Sequence, residues 1–152
     1  MKAERVGHRT PKSCLLFILV SLLFVACQTN RGSSSVPAEV EATINTISEE
    51  IAAERYEKVY YDASDLWRQA MTLEYSNTTF KTLRTKLGKV ETRTLLSARE
   101  QENSGGELKG RTYFVTYRTK FQKDEGMETF TLVERDGRWL LARYQITSTA
   151  LK

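Results

Sequence analysis

The hydrophobic pattern of the chain changes its period near residue 88, from helical spacing before it to strand-like alternation after it. Aliphatic residues at positions 40, 44, 47 and 51 form one stripe, which predicts an amphipathic helix over residues 38–53. Pro37 precedes this stripe and suits the first position of a helix. A second helical pattern covers residues 56–70, and the short polar side chains of Asp62, Ser64 and Asp65 are expected to interrupt it.

A third helix is predicted further along the chain, with Phe80 among its apolar residues. Ser76 or Asn77 is expected to cap its N-terminus, because a short polar side chain can accept a hydrogen bond from the free backbone amides there. Gly88 follows at the position where a glycine in a left-handed conformation commonly ends a helix.

After Gly88 the sequence predicts four strands over residues 89–100, 111–122, 127–135 and 138–147. Asp136-Gly137 is the strongest hairpin signal in the chain, since a type I′ turn needs positive φ at both central residues. Three sequential connections imply an antiparallel meander. The residues that alternate along three of these strands are Val90, Thr92, Thr94 and Leu96, then Tyr113, Val115, Tyr117 and Phe121, and finally Leu140, Ala142, Tyr144 and Ile146.

Helices followed by a meander predict an α+β domain over residues 38–152. In this arrangement the N-terminal helices pack on one face of the four-stranded antiparallel sheet, because each element must bury its apolar side against another. The sequence shows no internal repeat that would indicate a second unit.

The first 26 residues have the features of an export signal. A basic stretch precedes an apolar run over residues 15–26, interrupted only by Ser21. As a helix this run of twelve residues would extend roughly 18 Å, too short to cross about 30 Å of hydrocarbon. Residues 27–37 are polar and rich in Gly and Ser, which predicts a flexible tether between the signal and the domain.

The end of the apolar run, Phe24-Val25-Ala26-Cys27, resembles the lipobox of bacterial lipoproteins, with Phe24 in place of the usual Leu. The resemblance implies cleavage between Ala26 and Cys27, and lipid attached to Cys27. We therefore expect an exported protein that is anchored in the lipid bilayer through Cys27. In a host with two membranes, Gln28 rather than Asp after the cysteine resembles the pattern for transfer to the outer membrane.

A series of short stretches in the second half of the chain matches, in order, the motifs of a known bacterial family. The stretches are Leu87-Gly88-Lys89-Val90 with Arg93, Tyr117-Arg118-Thr119-Lys120-Phe121, Glu128-Thr129-Phe130-Thr131-Leu132-Val133, and Asp136-Gly137-Arg138-Trp139 followed by Tyr144 and Ile146. This order resembles the uncharacterised family called domain of unknown function 4019. It is also similar to the nuclear transport factor 2-like and cystatin-like folds. The resemblance implies a cystatin-like cone, in which a curved sheet wraps around helices and often holds a pocket, and it implies no particular activity.

The residues missing from the predicted domain limit its chemistry. The single histidine is His8 and the two cysteines are Cys14 and Cys27, so none lies within residues 38–152. Catalysis by Ser-His-Asp or Cys-His groups, and metal sites built from His or Cys, are therefore excluded for this domain. We expect no catalytic residue, no bound metal, no cofactor and no enzymatic activity.

The charge of the chain gives no evidence for nucleic-acid binding, and we expect no nucleic-acid partner. The chain has 23 basic and 19 acidic residues, and the segment before Cys27 holds four of the former and one of the latter. The remaining chain therefore carries only one net positive charge, whereas nucleic-acid-binding domains are usually much more basic.

Two motifs suggest chemistry at first sight. Asp62 and Asp65 are three residues apart, a spacing that would place both carboxylates on one helix face, although solvated side chains at a helix break are the favoured interpretation. Residues 105–112 nearly match a phosphate-binding loop, but Arg111 replaces its Lys and a strand follows instead of a helix. We interpret that segment as a loop between strands.

Aromatic residues offer a weaker site prediction, because Tyr and Trp have polar tips and some of them can face a cavity instead of dry core. Ordinary core packing is the favoured interpretation for most of them. The candidates for a pocket lining are Tyr56, Tyr60, Trp67, Tyr113, Tyr117, Trp139 and Tyr144.

Three functional hypotheses follow. The first is a membrane-tethered module that binds an unknown ligand or serves as an accessory domain without catalysis, and the lack of His and Cys favours it. The second is a structural envelope lipoprotein that forms a homodimer through its sheet or binds an envelope protein. The third is a small-molecule isomerase or dehydratase of the cone fold that uses a carboxylate and Tyr. A deep cavity with a buried Asp or Glu would favour the enzyme, and an apolar cavity without one would favour ligand binding.

Lipid attachment is directly testable. Cells grown with tagged palmitate should label the wild-type protein, and Cys27→Ser should abolish the label because the acceptor sulfur is lost. Cys14→Ser should keep it, since that residue precedes the cleavage point. A label that survives Cys27→Ser would contradict the lipoprotein assignment.

Overall fold

The structure is a computed structural model, and it describes residues 35–152. Four helices come first, followed by four strands and a short 3-10 turn at Thr149–Leu151. The helices are α1 (Ala38–Ala52), α2 (Tyr56–Asp62), α3 (Asp65–Ala70) and α4 (Leu73–Leu87), and the strands are β1 (Val90–Asn103), β2 (Gly110–Phe121), β3 (Glu125–Arg135) and β4 (Arg138–Ser148).

The first two helical patterns form as their sequences predict. Helix α1 buries Val40 and Ile44 from its aliphatic stripe. The second pattern is interrupted at Ser64, so that α2 and α3 are separate helices. Both the backbone amide and the hydroxyl of Ser64 donate hydrogen bonds of 2.9 Å to the carbonyl oxygen of Leu141. The break between the helices is therefore tied directly to strand β4.

The predicted start of the third helix is wrong. Helix α4 begins at Leu73, and the hydroxyl of Thr72 accepts a hydrogen bond of 3.2 Å from the amide of Tyr75. Ser76 is fully buried inside the first turns instead of capping the helix. Gly88 ends the helix with a φ of +80°, as its position predicts.

The four strands form one antiparallel sheet in the order β1-β2-β3-β4. The predicted α+β class and the sequential strand order are therefore confirmed. On one face of the sheet, the inward residues of β2 pair with those of β3, for example Tyr113 with Leu132 and Val115 with Phe130. These four side chains are buried in a core to which every helix and every strand contributes.

The predicted face of β1 is wrong because the strand contains irregularities. The register of β1 on β2 shifts near residue 91 and again between Leu95 and Ser97, and each shift reverses the face that later residues present. Between the two shifts Arg93 is half-buried and Thr94 is exposed, and Leu96, at the second shift, is 46% exposed.

A further register shift lies between β3 and β4. Leu132 pairs with Leu141 and Thr131 pairs with Arg143, so that Ala142 is the extra residue of a bulge. Trp139 and Leu141, rather than Leu140, therefore face the core before the bulge. Tyr144 and Ile146 occupy the inward positions after it, as the alternation predicts.

Phe80 of α4 lies at the centre of the contact between helices and sheet. Its ring stacks on Tyr56 at 5.5 Å and on Trp67 at 5.9 Å, measured between ring centroids. On the sheet side, the ring of Tyr144 lies 5.8 Å away. The aromatic cluster thus joins α2, α3 and α4 to strand β4.

The predicted signal and lipid anchor lie outside the described residues, which include neither Ala26 nor Cys27. The same holds for His8, Cys14 and most of the predicted tether. Among the helices within residues 35–152, none combines the length and the apolar character needed to cross a membrane.

The hairpin turn generates a stability prediction. Asp136 has a φ of +51° and Gly137 a φ of +73°, as a type I′ turn requires. A side chain at Gly137 would meet open space, so Gly137→Val should destabilise the fold through backbone strain alone, by about 1–2 kcal/mol. Gly105→Val is the control, because that glycine also faces open space but lies outside the left-handed region. Urea unfolding measures both, and equal stability of the two variants would contradict the turn assignment.

Candidate functional site

A fully buried carboxylate marks the candidate site. Glu128 lies on β3 and is 0% exposed, on the same inward face as Phe130. The guanidinium of Arg93 on β1 donates two hydrogen bonds to it, from Nε to Oε2 at 2.5 Å and from Nη2 to Oε1 at 2.8 Å. This two-pronged geometry is the strongest pairing available between the two groups.

Two hydroxyl groups complete the surroundings of Glu128. Thr119 of β2 donates to Oε2 at 2.9 Å, and Tyr144 of β4 donates to Oε1 at 2.5 Å. Each carboxylate oxygen therefore accepts two hydrogen bonds. The charge is both paired and fully hydrogen-bonded, which is the condition for placing it inside a protein. We call Arg93, Thr119, Glu128 and Tyr144 the Glu128 cluster.

The cluster shifts the pKa values of its own members. Burial would lower the pKa of Arg93, but the hydrogen bonds and charge of Glu128 outweigh this effect and raise it. Burial, together with the charge of Glu128 and the hydrogen bond to it, raises the pKa of Tyr144 well above its ordinary value. Arg93 therefore stays charged and Tyr144 stays a neutral donor at physiological pH.

A cleft of about 380 Å³ lies against this cluster, between α1, α4, the start of β1 and the end of β4. Phe80 and Leu87 are its most deeply buried lining residues. Arg93 and Tyr144 form the polar wall on the side of the Glu128 cluster, and further polar lining comes from Asn45, Ser48, Glu49, Arg84 and Lys89. Further apolar lining comes from Ile51, Ala52, Leu83, Phe121 and Ile146. Glu128 itself does not line the cleft and lies behind Arg93 and Tyr144. We call this space the Arg93 cleft.

The Arg93 cleft offers hydrogen-bond donors to a bound molecule. Nη1 of Arg93 has no partner within the described part of the chain, whereas Nε and Nη2 are used by Glu128. No group of three or more His, Cys, Asp or Glu side chains in residues 35–152 could hold a metal ion. The arrangement can therefore bind and orient a polar group next to an apolar surface.

A larger and more open cleft of about 730 Å³ lies between α1, the junction of α2 with α3, and the start of β4. Trp139 lines it, as do Glu50 and Asp62. Each of these acids forms an ion pair with a residue close in sequence. Glu50 of α1 pairs with Arg55, which precedes α2, and Asp62 pairs with Lys58 of α2. Among the described residues, Glu128 is the charged residue with no exposed surface, and its partners Arg93 and Tyr144 line the Arg93 cleft, so we favour that cleft as the site.

The aromatic residues predicted for a pocket are distributed over several places. Tyr144 lines the Arg93 cleft, and Trp139 lines the larger one. Tyr56 and Trp67 are buried against Phe80, and the hydroxyl of Tyr60 donates to the carbonyl of Met71 at 3.3 Å. The remaining two make edge-on contacts inside the core, Tyr113 with Trp139 and Tyr117 with Phe130.

The Asp62 and Asp65 pair and the segment that resembles a phosphate-binding loop both lie outside the Arg93 cleft. Asp62 ends α2 while Asp65 begins α3, so they do not share one helix, and their side chains are 58% and 82% exposed. The loop interpretation of residues 105–112 is correct only for 105–109, because residues 110–112 already pair with β1 as the start of β2. Glu107 in this loop pairs with Arg143 of β4 at 2.7 Å.

Sequence reasoning did not identify Glu128, Arg93 or Thr119 as site residues. A signal for Glu128 existed, because it stands two residues before Phe130 and four before Leu132 on the inward face of an alternating strand. A charged residue at such a position needs a partner inside the fold. The sequence did not identify that partner, since the bulge in β1 decides where Arg93 points.

Comparison with known proteins identifies the family of the chain and leaves its activity open. The chain matches the family described as protein of unknown function (DUF4019) over residues 45–144. It therefore belongs to this family. The match covers all four members of the Glu128 cluster. No curated protein matches the chain.

The Glu128 cluster predicts a distinctive mutational pattern. Arg93→Met should destabilise the protein by about 3–5 kcal/mol, because it leaves a buried carboxylate without its countercharge. Adding Glu128→Gln should recover most of that loss, since the amide is uncharged and its oxygen can still accept a hydrogen bond. Lys120→Met, which breaks the exposed pair with Glu91, is the control and should cost under about 1 kcal/mol. Denaturant unfolding of all four proteins tests this, and a double variant no more stable than Arg93→Met would contradict it.

Proposed function

We propose that this protein is a membrane-tethered lipoprotein whose cone-like α+β domain binds a small, mainly apolar ligand in the Arg93 cleft and carries out no catalysis. The observation that carries the proposal is an apolar cleft whose polar wall is held in place by a fully buried carboxylate. The lipid on Cys27 would keep this binding domain at the membrane surface.

Size and lining support a small-molecule ligand. A volume of about 380 Å³ lies within the roughly 300–1,000 Å³ that is usual for such pockets. Small-molecule sites are mostly apolar with a few fixed polar groups, and the Arg93 cleft has this composition. Arg93 and Tyr144 are fixed because both are bonded to Glu128. A ligand would therefore meet polar groups that are already oriented.

A second candidate is an isomerase or dehydratase of small molecules, because a buried Glu lies directly behind the cleft wall. General base catalysis requires a carboxylate oxygen that can reach the substrate proton. Both oxygens of Glu128 already accept two hydrogen bonds each, and the residue does not line the cleft. This geometry favours the binding function over the enzyme.

Binding is tested with the full, lipid-anchored chain in lipid nanodiscs, with hydrogen exchange as the measurement. Exchange reports on the protein itself, and because lipid takes up part of each probe, the free concentration in water is measured and used as the concentration scale. Three ten-carbon probes with different ends are used, namely decane, 2-decanone and decanoate. At least one of them should protect the backbone around Phe80 and Leu87 in α4, because these residues line the cleft.

Two matched variants locate the binding site. Leu83→Trp should abolish the protection, because the indole fills the Arg93 cleft. Ile47→Trp should preserve it, because Ile47 lines the larger cleft. The reverse result would place the ligand in the larger cleft, and no protection by any probe would contradict the binding proposal. Turnover in an isomerase and dehydratase panel that disappears in Glu128→Gln would support the enzyme instead.

A further inference from the structure

We infer that the ligand of the Arg93 cleft is an uncharged molecule with a carbonyl-type hydrogen-bond acceptor at one end and an apolar remainder. This inference rests on the proposed function and specifies the chemical class of the ligand. The acceptor would be bound by Nη1 of Arg93, and the apolar part would lie against Phe80 and Leu87.

The first step concerns the direction of hydrogen bonding. Arginine has only donors, and Nη1 is the guanidinium nitrogen without a partner in the described residues. The hydroxyl of Tyr144 donates its single proton in the hydrogen bond to Glu128. The acceptors of Glu128 are themselves occupied by four donors. The hydroxyl oxygen of Tyr144 can still accept a hydrogen bond, but a ligand group that contacts Nη1 of Arg93 must itself be an acceptor.

The second step concerns the charge of the ligand. Glu128 neutralises Arg93 at contact distance, so the pair offers a donor without net positive charge. An anion at Nη1 would lose its hydration inside apolar walls and would also be repelled by the carboxylate behind Arg93. A neutral carbonyl loses much less hydration and receives the same hydrogen bond.

The other cations around the cleft do not change this balance. Arg84 lies 3.7 Å from Glu54, which offsets its charge. Lys89 is exposed at the rim, where Glu49 also lies and where water screens both charges. The interior of the cleft therefore has no unpaired positive charge to compensate for a buried anion.

The third step concerns the remainder of the ligand. Phe80, Leu83, Leu87, Phe121 and Ile146 give the cleft an apolar surface, and polar side chains on α1, α4 and the start of β1 complete the lining. Burial of an apolar chain against that surface provides most of the affinity, while Nη1 of Arg93 selects the end group. Loss of a hydrogen bond to a buried charged group weakens binding by roughly tenfold or more.

The probe series tests the class directly in the anchored full chain. We expect 2-decanone to bind at least about tenfold more tightly than decane or decanoate, measured by the free aqueous probe concentration that gives half-maximal exchange protection. Equal affinities of 2-decanone and decane would show that Arg93 does not select for a carbonyl group. Tightest binding of decanoate would show that the cleft selects an anion. Either result overturns this inference while leaving the proposed binding function intact, whereas failure of all three probes overturns both.

A variant and a spectroscopic measurement assign the selection to Arg93. In the double variant Arg93→Met with Glu128→Gln, the preference for 2-decanone over decane should fall to about one, because the donor is absent and no charge is left unpaired. A preference that survives would overturn the role of Arg93. Independently, the carbonyl carbon of 2-decanone labelled with carbon-13 should give a signal downfield of its position in protein-free lipid nanodiscs when it is bound to the wild-type protein, because lipid offers no hydrogen bond. An unshifted signal under saturating protein would overturn the hydrogen bond even if the double variant does not fold.

Discussion

The burial of one negative charge constrains most of this structure. Glu128 is enclosed in the sheet interior, where an ionised carboxylate is tolerated only with a countercharge and full hydrogen bonding. Its partners come from the three other strands, Arg93 from β1, Thr119 from β2 and Tyr144 from β4. Each strand therefore contributes one residue to the same cluster. A slip of any strand by one residue would turn its contribution to the opposite face and leave the charge undersatisfied, so the cluster fixes the register of the whole sheet.

This constraint gives a physical reason for two of the register shifts, the one in β4 at Ala142 and the one in β1 between Leu95 and Ser97. In β4, Trp139 and Leu141 face inward, and strict alternation would bring Arg143 to the interior next. The extra residue Ala142 shifts the pattern, so that Tyr144 takes that place and donates to Glu128. In β1, strict alternation back from the buried Ala98 would turn Arg93 outward. The shift between Leu95 and Ser97 brings it inward instead. Both irregularities direct a side chain to the cluster.

The same irregularities explain how much the sequence could predict. Periodicity gives the α+β class, the strand order, the interruption at Ser64 and the turn at Gly137, because each depends on spacing or on one local conformation. The faces of β1 and the first half of β4 were assigned wrongly, because a bulge leaves no distinct mark in an alternating sequence. The cluster was missed for the same reason. Its residues lie in different strands, and their convergence depends on two bulges that only the folded sheet reveals.

A buried ion pair is poor evidence for a gain in stability, because well-packed apolar residues of similar volume often serve as well or better. The pair in this protein has a consequence that apolar residues could not provide. It fixes a guanidinium at the wall of an apolar cleft, with one nitrogen left for a ligand and with its charge already balanced from behind. The cost of ordering that donor is met during folding and need not be met again when a ligand binds. Under the binding proposal, the register constraint and the recognition of the ligand are therefore two effects of the same interaction between Arg93 and Glu128.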